Sequence, residues 1–250
     1  MDPNTARLIA ALAEAGPADR VLEVGAGLGS LTVALAATGA SVLAVEFDRG
    51  LVPALSEVVA GLPNVSVLGA DAMTVAWPDV LAGGRWKMVS NLPYNIATPL
   101  VLDMLQVGLP VDLYLVMVQR EVGERLAAGP GDEGYGAVSA KIAYLSEASV
   151  VRRVPATVFW PRPKVESVLV RLVPRSEPPV DADAEVLFRV VEEGFAQRRK
   201  TMANALRRMG LSAAEAAEAL ERCGLEPSVR AEDLPLEAFA RLSGEVPAGA

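Results

Sequence analysis

Apolar residues between positions 20 and 118 fall into five short runs, at 20–24, 41–46, 65–68, 87–90 and 111–118. Each has the length of a strand, and the segments between them are long enough for helices. Strands that alternate with helices predict an α/β fold with a parallel sheet covered on both faces. A helix is expected to open the chain: Asp2 is suited to cap it, Pro3 to occupy its first position, and Leu8, Ile9 and Leu12 to form its apolar stripe before Gly16-Pro17 ends it. A further helix over 136–146 precedes two β-rich runs, 149–154 and 165–173, separated by a proline-studded loop. This pair is expected to form the antiparallel end of the sheet. Past Arg171 the texture changes. Pro174, Ser176, Pro178 and Pro179 read as a linker, and helical patterns follow at 184–197, 201–209 and 212–222, the last stopped by Gly224. The expected organisation is therefore a sheet domain over 1–176 and a small all-α domain over 177–250, with residues 244–250 frayed.

Composition narrows the chemistry. No apolar run approaches the 18 residues that a membrane span needs, and the start Met1-Asp2-Pro3-Asn4 is acidic rather than basic, so neither a membrane partner nor a secretory signal is expected. The expected location is the cytoplasm, as a monomer. A single cysteine excludes an internal disulfide. The absence of histidine removes both the commonest metal ligand and the commonest base at neutral pH, so no metal is expected. The net charge of −8 argues against a polyanionic partner, but the charge is uneven: 12 Lys+Arg face 7 Asp+Glu between Arg152 and Gly210, against 11 and 24 elsewhere.

The first run continues as Val21-Leu22-Glu23-Val24-Gly25-Ala26-Gly27-Leu28-Gly29, a strand entering a glycine-rich turn ahead of a helix. Glycine lets the backbone turn tightly and approach a ligand. The spacing G-x-G-x-G differs from the dinucleotide pattern G-x-G-x-x-G, and Glu23 before it suits a cationic ammonium or sulfonium better than a pyrophosphate. A tight turn without a ligand is the alternative for Gly25, Gly27 and Gly29 taken alone. Glu46 closes the second strand, placed to accept hydrogen bonds from both hydroxyls of a ribose. Asp71 closes the third, placed to accept from an adenine amino group. Each alone could be a solvated strand end. Three acids at successive strand ends of one sheet describe an adenosine with a cationic tail, and so S-adenosyl-L-methionine, with S-adenosyl-L-homocysteine as product.

Asn91-Leu92-Pro93-Tyr94 follows the fourth strand. The lone pair of an adenine amino nitrogen is delocalised into the ring, so its methylation requires that pair to be localised and aimed rather than a strong base. Acceptance of its hydrogens by the Asn91 side-chain oxygen and the Leu92 carbonyl would do this through proximity and electrostatic preorganisation. Pro93 would fix the turn that directs the carbonyl inward, and Tyr94 offers a face on which an extruded base stacks. An ordinary Asn-Pro turn beside a buried tyrosine is the alternative.

With these residues in view the chain resembles the KsgA/RsmA family of small-subunit rRNA adenine dimethyltransferases. The resemblance extends through Asn95-Ile96-Ala97-Thr98-Pro99, Gln119-Arg120-Glu121-Val122, Glu124-Arg125-Leu126 and Tyr135-Gly136. It continues over residues 159–167 (Phe-Trp-Pro-Arg-Pro-Lys-Val-Glu-Ser), 195–201 (Phe-Ala-Gln-Arg-Arg-Lys-Thr) and 230–237. It implies a Rossmann-like class I methyltransferase sheet and S-adenosylmethionine as methyl donor. The implied substrate is a pair of adjacent adenosines in the 3′-terminal hairpin of small-subunit rRNA, dimethylated on an assembling 30S subunit. Phe159 would be the second aromatic face for the base, opposite Tyr94, with a core position as the alternative. Arg198, Arg199 and Lys200, three cations placed where they oppose a helix dipole, would contact RNA phosphate, with a solvated face as the alternative. The family's pattern also includes a basic stretch with Gln-Asn-Phe-Leu ahead of the segment matching Asp2-Pro3-Asn4, which this chain lacks, so a more open pocket and weaker cofactor binding are expected. Two other classes compete: an Erm-type enzyme methylating large-subunit rRNA, and a catalytically weak RNA-binding assembly factor. A NAD-dependent dehydrogenase is disfavoured by the glycine spacing and the missing histidine.

Overall fold

The computed structural model describes residues 1–247. In chain order, the first half comprises α1 (Pro3–Leu12), β1 (Arg20–Val24), α2 (Ser30–Ala36), β2 (Ser41–Glu46), α3 (Leu51–Val59), β3 (Val65–Gly69), α4 (Trp77–Val80), β4 (Trp86–Asn91), α5 (Ala97–Val107) and β5 (Val111–Gln119). There follow α6 (Arg120–Leu126), α7 (Ala137–Leu145), β6 (Ser146–Val154), β7 (Ser167–Pro174), α8 (Ala184–Ala196), α9 (Met202–Arg208), α10 (Ala213–Arg222) and α11 (Leu236–Ser243). The chain divides into two compact units. One comprises Met1–Gly123 and Glu147–Pro174, and the other Glu124–Ser146 with the chain from Arg175 onward.

The first unit is built on a seven-stranded sheet of order β3-β2-β1-β4-β5-β7-β6. β1 to β5 run parallel, and β7 pairs antiparallel with β5 from Tyr114↔Leu172 to Gln119↔Ser167. The fold class read from the sequence is the one observed. Val21, Leu22, Glu23 and Val24 of β1 are all buried, as expected for a strand covered on both faces. The strand order reverses between β1 and β4, so their carboxyl ends splay into the crevice where open α/β sheets bind ligands. Asp2 caps α1, accepting from the Thr5 amide at 2.9 Å. The Asp2 amide in turn donates to the Val158 carbonyl at 2.7 Å, fixing the chain beside the loop between β6 and β7.

The second unit is helical. Leu187, Val190 and Val191 of α8 pack with Met202, Leu206, Leu220, Phe239 and Leu242 around Tyr135, Ala140 and Tyr144. Asp183 caps α8, and Ser212 with Glu215 forms a reciprocal capping box on α10. Here the structure departs from a boundary at 177. The chain does change units at Pro174/Arg175, but residues 124–146, read from the sequence as part of the sheet domain, belong to the helical unit. The reason lies in packing: the Tyr135 hydroxyl donates to the Leu234 carbonyl at 2.9 Å, and Tyr144 meets Phe188 edge to face.

Among the described residues no helix is long and apolar enough to cross a membrane, and no group of three or more Cys, Asp or Glu side chains is arranged to hold a metal. Of the closing residues expected to fray, 248–250 lie outside those described.

Candidate functional site

The glycine turn after β1 is shaped by positions that an L-residue resists. Gly25, Gly27 and Gly29 have φ of 77°, 58° and 81°, in the left-handed region that favours glycine. A Cβ on Gly25 would stand 3.0 Å from Pro93 Cδ and 3.4 Å from the Asn91 carbonyl oxygen, so this glycine lets the first turn touch the loop after β4. A Cβ on Gly27 would meet nothing within 4 Å, and its amide is turned to the carboxylate of Glu46. The two strand ends are also tied together below the turn. Backbone pairing of β1 with β4 runs to Leu22↔Met88, and two residues on, the Val24 amide donates to the buried Ser90 hydroxyl at 2.9 Å.

Two cavities flank this contact, each of about 300 Å³, at the lower end of the range for small-molecule sites. The first is lined by Gly25, Glu46, Phe47, Asp71, Met73 and Ile96, among others, and also by Pro93. Both oxygens of Glu46 already accept backbone N–H groups, from Gly27 at 2.7 Å and from Asp48 at 2.9 Å. A carboxylate oxygen has a further lone pair, so Glu46 can still receive hydroxyl donors. Asp71 accepts from the Met73 amide at 2.9 Å and lines the same wall. Phe47, 70% exposed, with Met73 and Ile96 supplies apolar surface suited to a flat ring. None of these three was given a role from the sequence, although Ile96 falls within a segment that carries the family resemblance. Carboxylate acceptors, a close-approaching glycine turn at Gly25 and an apolar wall together fit the adenosine of S-adenosylmethionine.

Of the residues expected to bind the cofactor (Glu23, Gly25, Gly27, Gly29, Glu46, Asp71 and Asn91), Glu23, Gly27, Gly29 and Asn91 do not line this cavity, and Glu23 is buried. Its side chain is only 2% exposed and accepts from the Thr32 hydroxyl at 2.6 Å. Burial pushes its pKa up to about 8; the Thr32 hydrogen bond opposes the shift and nearby Glu46 adds to it. At pH 7 Glu23 therefore holds a proton, and the expectation of an anion facing an ammonium is corrected: its carboxyl is buried against Thr32 rather than offered to a ligand. The consequence for stability has a definite sign. The folded state retains a proton that the unfolded chain loses near 4.5, so this contribution is full below pH 4.5 and lost as pH rises toward 8. Replacing Glu23 with glutamine, which keeps an acceptor for Thr32, should make the variant gain on the parent by up to about 1.4 kcal/mol per pH unit across that window. Urea unfolding at pH 5, 6.5 and 8 measures it, and parallel stability curves would refute the assignment.

The second cavity is lined by Gly25, Asn91, Leu92, Pro93, Tyr94, Phe159, Pro161 and Pro163. Gly25 and Pro93 line both cavities, so the two meet across the loop after β4. The Leu92 amide donates to the Met117 carbonyl at 3.0 Å, and the Pro93 carbonyl accepts from the Ile96 and Ala97 amides, which holds the loop as a turn into α5. Among the described residues the Asn91 side chain and the Leu92 carbonyl have no protein partner, whereas the Leu92 side chain is buried. Tyr94 is 42% exposed and Phe159 half-buried. Phe159 also packs against the core cluster containing Ile9 and Leu169, so it joins the core while lining this cavity.

In the helical unit, Arg198, Arg199 and Lys200 occupy the turn before α9 rather than the helix itself. All three residues are exposed. The Arg198 guanidinium donates to the Tyr135 carbonyl, which gives it an internal structural role. Arg199 and Lys200 pair with no acid among the described residues.

Comparison with known proteins bears on this arrangement. Residues 1–246 match the family model described as "Ribosomal RNA adenine dimethylase". The chain is 44% identical to "Ribosomal RNA small subunit methyltransferase A" of Moorella thermoacetica, covering 97% of this chain and 88% of that protein. It is 45% identical to the protein of that name from Thermobifida fusca, covering 99% and 87%. Among solved structures, the 23S rRNA methyltransferase ErmE is 27% identical with a TM-score of 0.75, covering 98% of both chains. A dimethyladenosine transferase from Plasmodium falciparum shares the fold with a TM-score of 0.81 at 23% identity, covering 96% and 94%.

Proposed function

Given that this chain belongs to the ribosomal RNA adenine dimethylase family, we propose that it transfers methyl groups from S-adenosylmethionine to the N6 atoms of two adjacent adenosines in the 3′-terminal hairpin of small-subunit rRNA, on an assembling 30S subunit. The observation that carries this is the meeting of two cavities at Gly25 and Pro93, with the free acceptors of Asn91 and Leu92 in the second. Glu46 accepts the ribose hydroxyls and Asp71 the adenine amino group of the cofactor. Bound there, S-adenosylmethionine supplies an electrophilic methyl group.

The protein's own work is done on the acceptor base. Tyr94 and Phe159 hold the extruded adenine by stacking. Asn91 Oδ1 and the Leu92 carbonyl draw the two amino hydrogens toward themselves, which localises the lone pair on nitrogen and aims it across the seam at Gly25 and Pro93. Once alkylated the nitrogen is cationic and loses its proton to water, so no histidine is needed. Small-subunit rRNA is favoured over large-subunit rRNA because the relatives named for the small subunit are 44–45% identical and ErmE 27%.

Offering isolated 30S and 50S particles from an under-methylated strain with labelled S-adenosylmethionine tests the proposal. The expected label is dimethyladenosine at two adjacent positions of the 30S hairpin; label in 50S particles alone would assign the chain to the Erm activity. In the helical unit Arg199 and Lys200 are assigned to phosphate. Replacing both with alanine should weaken 30S binding and lower the log-log salt slope by about two. An unchanged slope would leave them as solvated surface.

A further inference from the structure

Trp160 stands apart from the other tryptophans of the chain. Trp77 is buried and Trp86 half-buried, and each donates its indole N–H to a backbone carbonyl, of Ala72 and Leu81 respectively, at 3.0 Å. Trp160 is 93% exposed, and among the described residues its indole has no hydrogen-bond or ring partner. Tryptophan is large and mostly apolar, and its body is normally at least partly covered. Its two neighbours in sequence, Phe159 and Pro161, both line the target-base cavity. The backbone at Phe159 is extended, with φ −107° and ψ 148°, and in such a stretch successive side chains project to opposite sides. Phe159 thus faces the cavity and Trp160 the solvent beyond its rim. Arg162 and Lys164 follow on the same loop, exposed and without an acidic partner among the described residues. Aromatic faces interleaved with unpaired cations are the surface on which single-stranded nucleic acid lies, bases on the rings and phosphates on the charges.

We propose that Trp160 is a stacking platform for the unpaired nucleotide next to the adenosine in the cavity, with Arg162 and Lys164 on the flanking phosphates. This rests on the rRNA-dimethylase reading. It extends that reading from one nucleotide to two: while one adenosine of the adjacent pair is held between Tyr94 and Phe159, its neighbour is held outside on Trp160. Trp160 is a positioning residue, because it lies outside the cavity where the methyl group is transferred.

The test uses under-methylated small subunits reconstituted with rRNA in which 2-aminopurine replaces one of the two adenosines. This base lacks the 6-amino group that Asn91 and Leu92 engage, so it takes the outer position, and its fluorescence falls when it stacks. Binding of the parent protein should quench it, W160A should leave it bright, and W160F should restore most of the quenching. On unlabelled subunits, W160A should raise KM about tenfold, the loss of one base–aromatic stack, with kcat within twofold. Methylation by the parent protein separates the two readings. No methylation of either rRNA would overturn both. Normal methylation with equal quenching in parent and W160A would overturn the platform alone. A raised KM without loss of quenching would also overturn it, placing Trp160 against another component of the subunit.

Discussion

Asn91→Ala should lower the rate of adenosine methylation at saturating substrates by about a hundredfold or more, while the dissociation constant for S-adenosylmethionine changes by less than about threefold. The magnitude is that of removing one preorganised polar group from a transition state in which charge develops. The separation of effects follows from placement. Asn91 lines the cavity of Tyr94 and Phe159 and not that of Glu46 and Asp71. Its side chain has no partner among the described residues, so truncation costs none of their hydrogen bonds and the fold should persist. Single-turnover kinetics together with calorimetric titration of the cofactor measure both quantities. A variant with normal turnover would remove Asn91 from the reaction; one with normal turnover and weak cofactor binding would move it to the other cavity.

Gly25→Ala should be as damaging in a different way, reducing both cofactor affinity and turnover. The added Cβ falls 3.0 Å from Pro93 Cδ and 3.3 Å from Pro93 Cγ, on a backbone with φ of 77°. The left-handed conformation costs a non-glycine residue about 1–2 kcal/mol, and relieving the contact requires Pro93 to shift by a few tenths of an ångström. Pro93 bounds both cavities, so its movement alters the geometry on each side of the transfer, where misplacement by about 1 Å costs roughly a hundredfold. Gly27→Ala is the informative comparison. It carries similar backbone strain but meets no protein atom within 4 Å. Its melting temperature should fall less than that of Gly25→Ala, which adds the contact with Pro93 to the same strain, its cofactor affinity should fall through distortion of the turn that holds Glu46, and its turnover at saturating cofactor should survive. Equal turnover in the two variants would show that strain, and not the contact with Pro93, sets the effect.

Much of this site was legible in the sequence because its elements carry their own signals. Apolar runs of strand length marked the sheet, and glycines or Asn-Pro pairs at strand ends marked the turns where a backbone must bend sharply. What was not legible depends on direction and partnership. Glu23 lies on β1, every residue of which from Val21 onward is buried. On such a strand period-two alternation gives no contrast between cavity and core, so the inward course of its carboxyl toward Thr32 had no signature. Phe47, Met73 and Ile96 are single apolar residues in turns, where no periodicity assigns a face. Arg198 looks like one of three equivalent cations, and its carbonyl partner at Tyr135 is 63 residues away. The same distance effect hides the allegiance of residues 124–146. A helix displays an apolar stripe but not what covers it, and the proline-rich linker near 177 is the louder boundary.

The two cavities share only Gly25 and Pro93 among their linings, and each has its own exposed rim, Phe47 and Met73 on one side and Tyr94 on the other. With S-adenosylmethionine and the target base seated as proposed, spent nucleoside and modified base have separate exits. The cofactor side can be emptied and recharged while the RNA stays docked, and one encounter can then deliver more than one methyl group. Whether an adenosine leaves with one or two becomes a contest of dwell times, cofactor exchange against RNA departure. Raising the concentration of S-adenosylmethionine should shift the product of a single encounter from mono- to dimethyladenosine, even when unlabelled subunits are added to capture any enzyme that lets go.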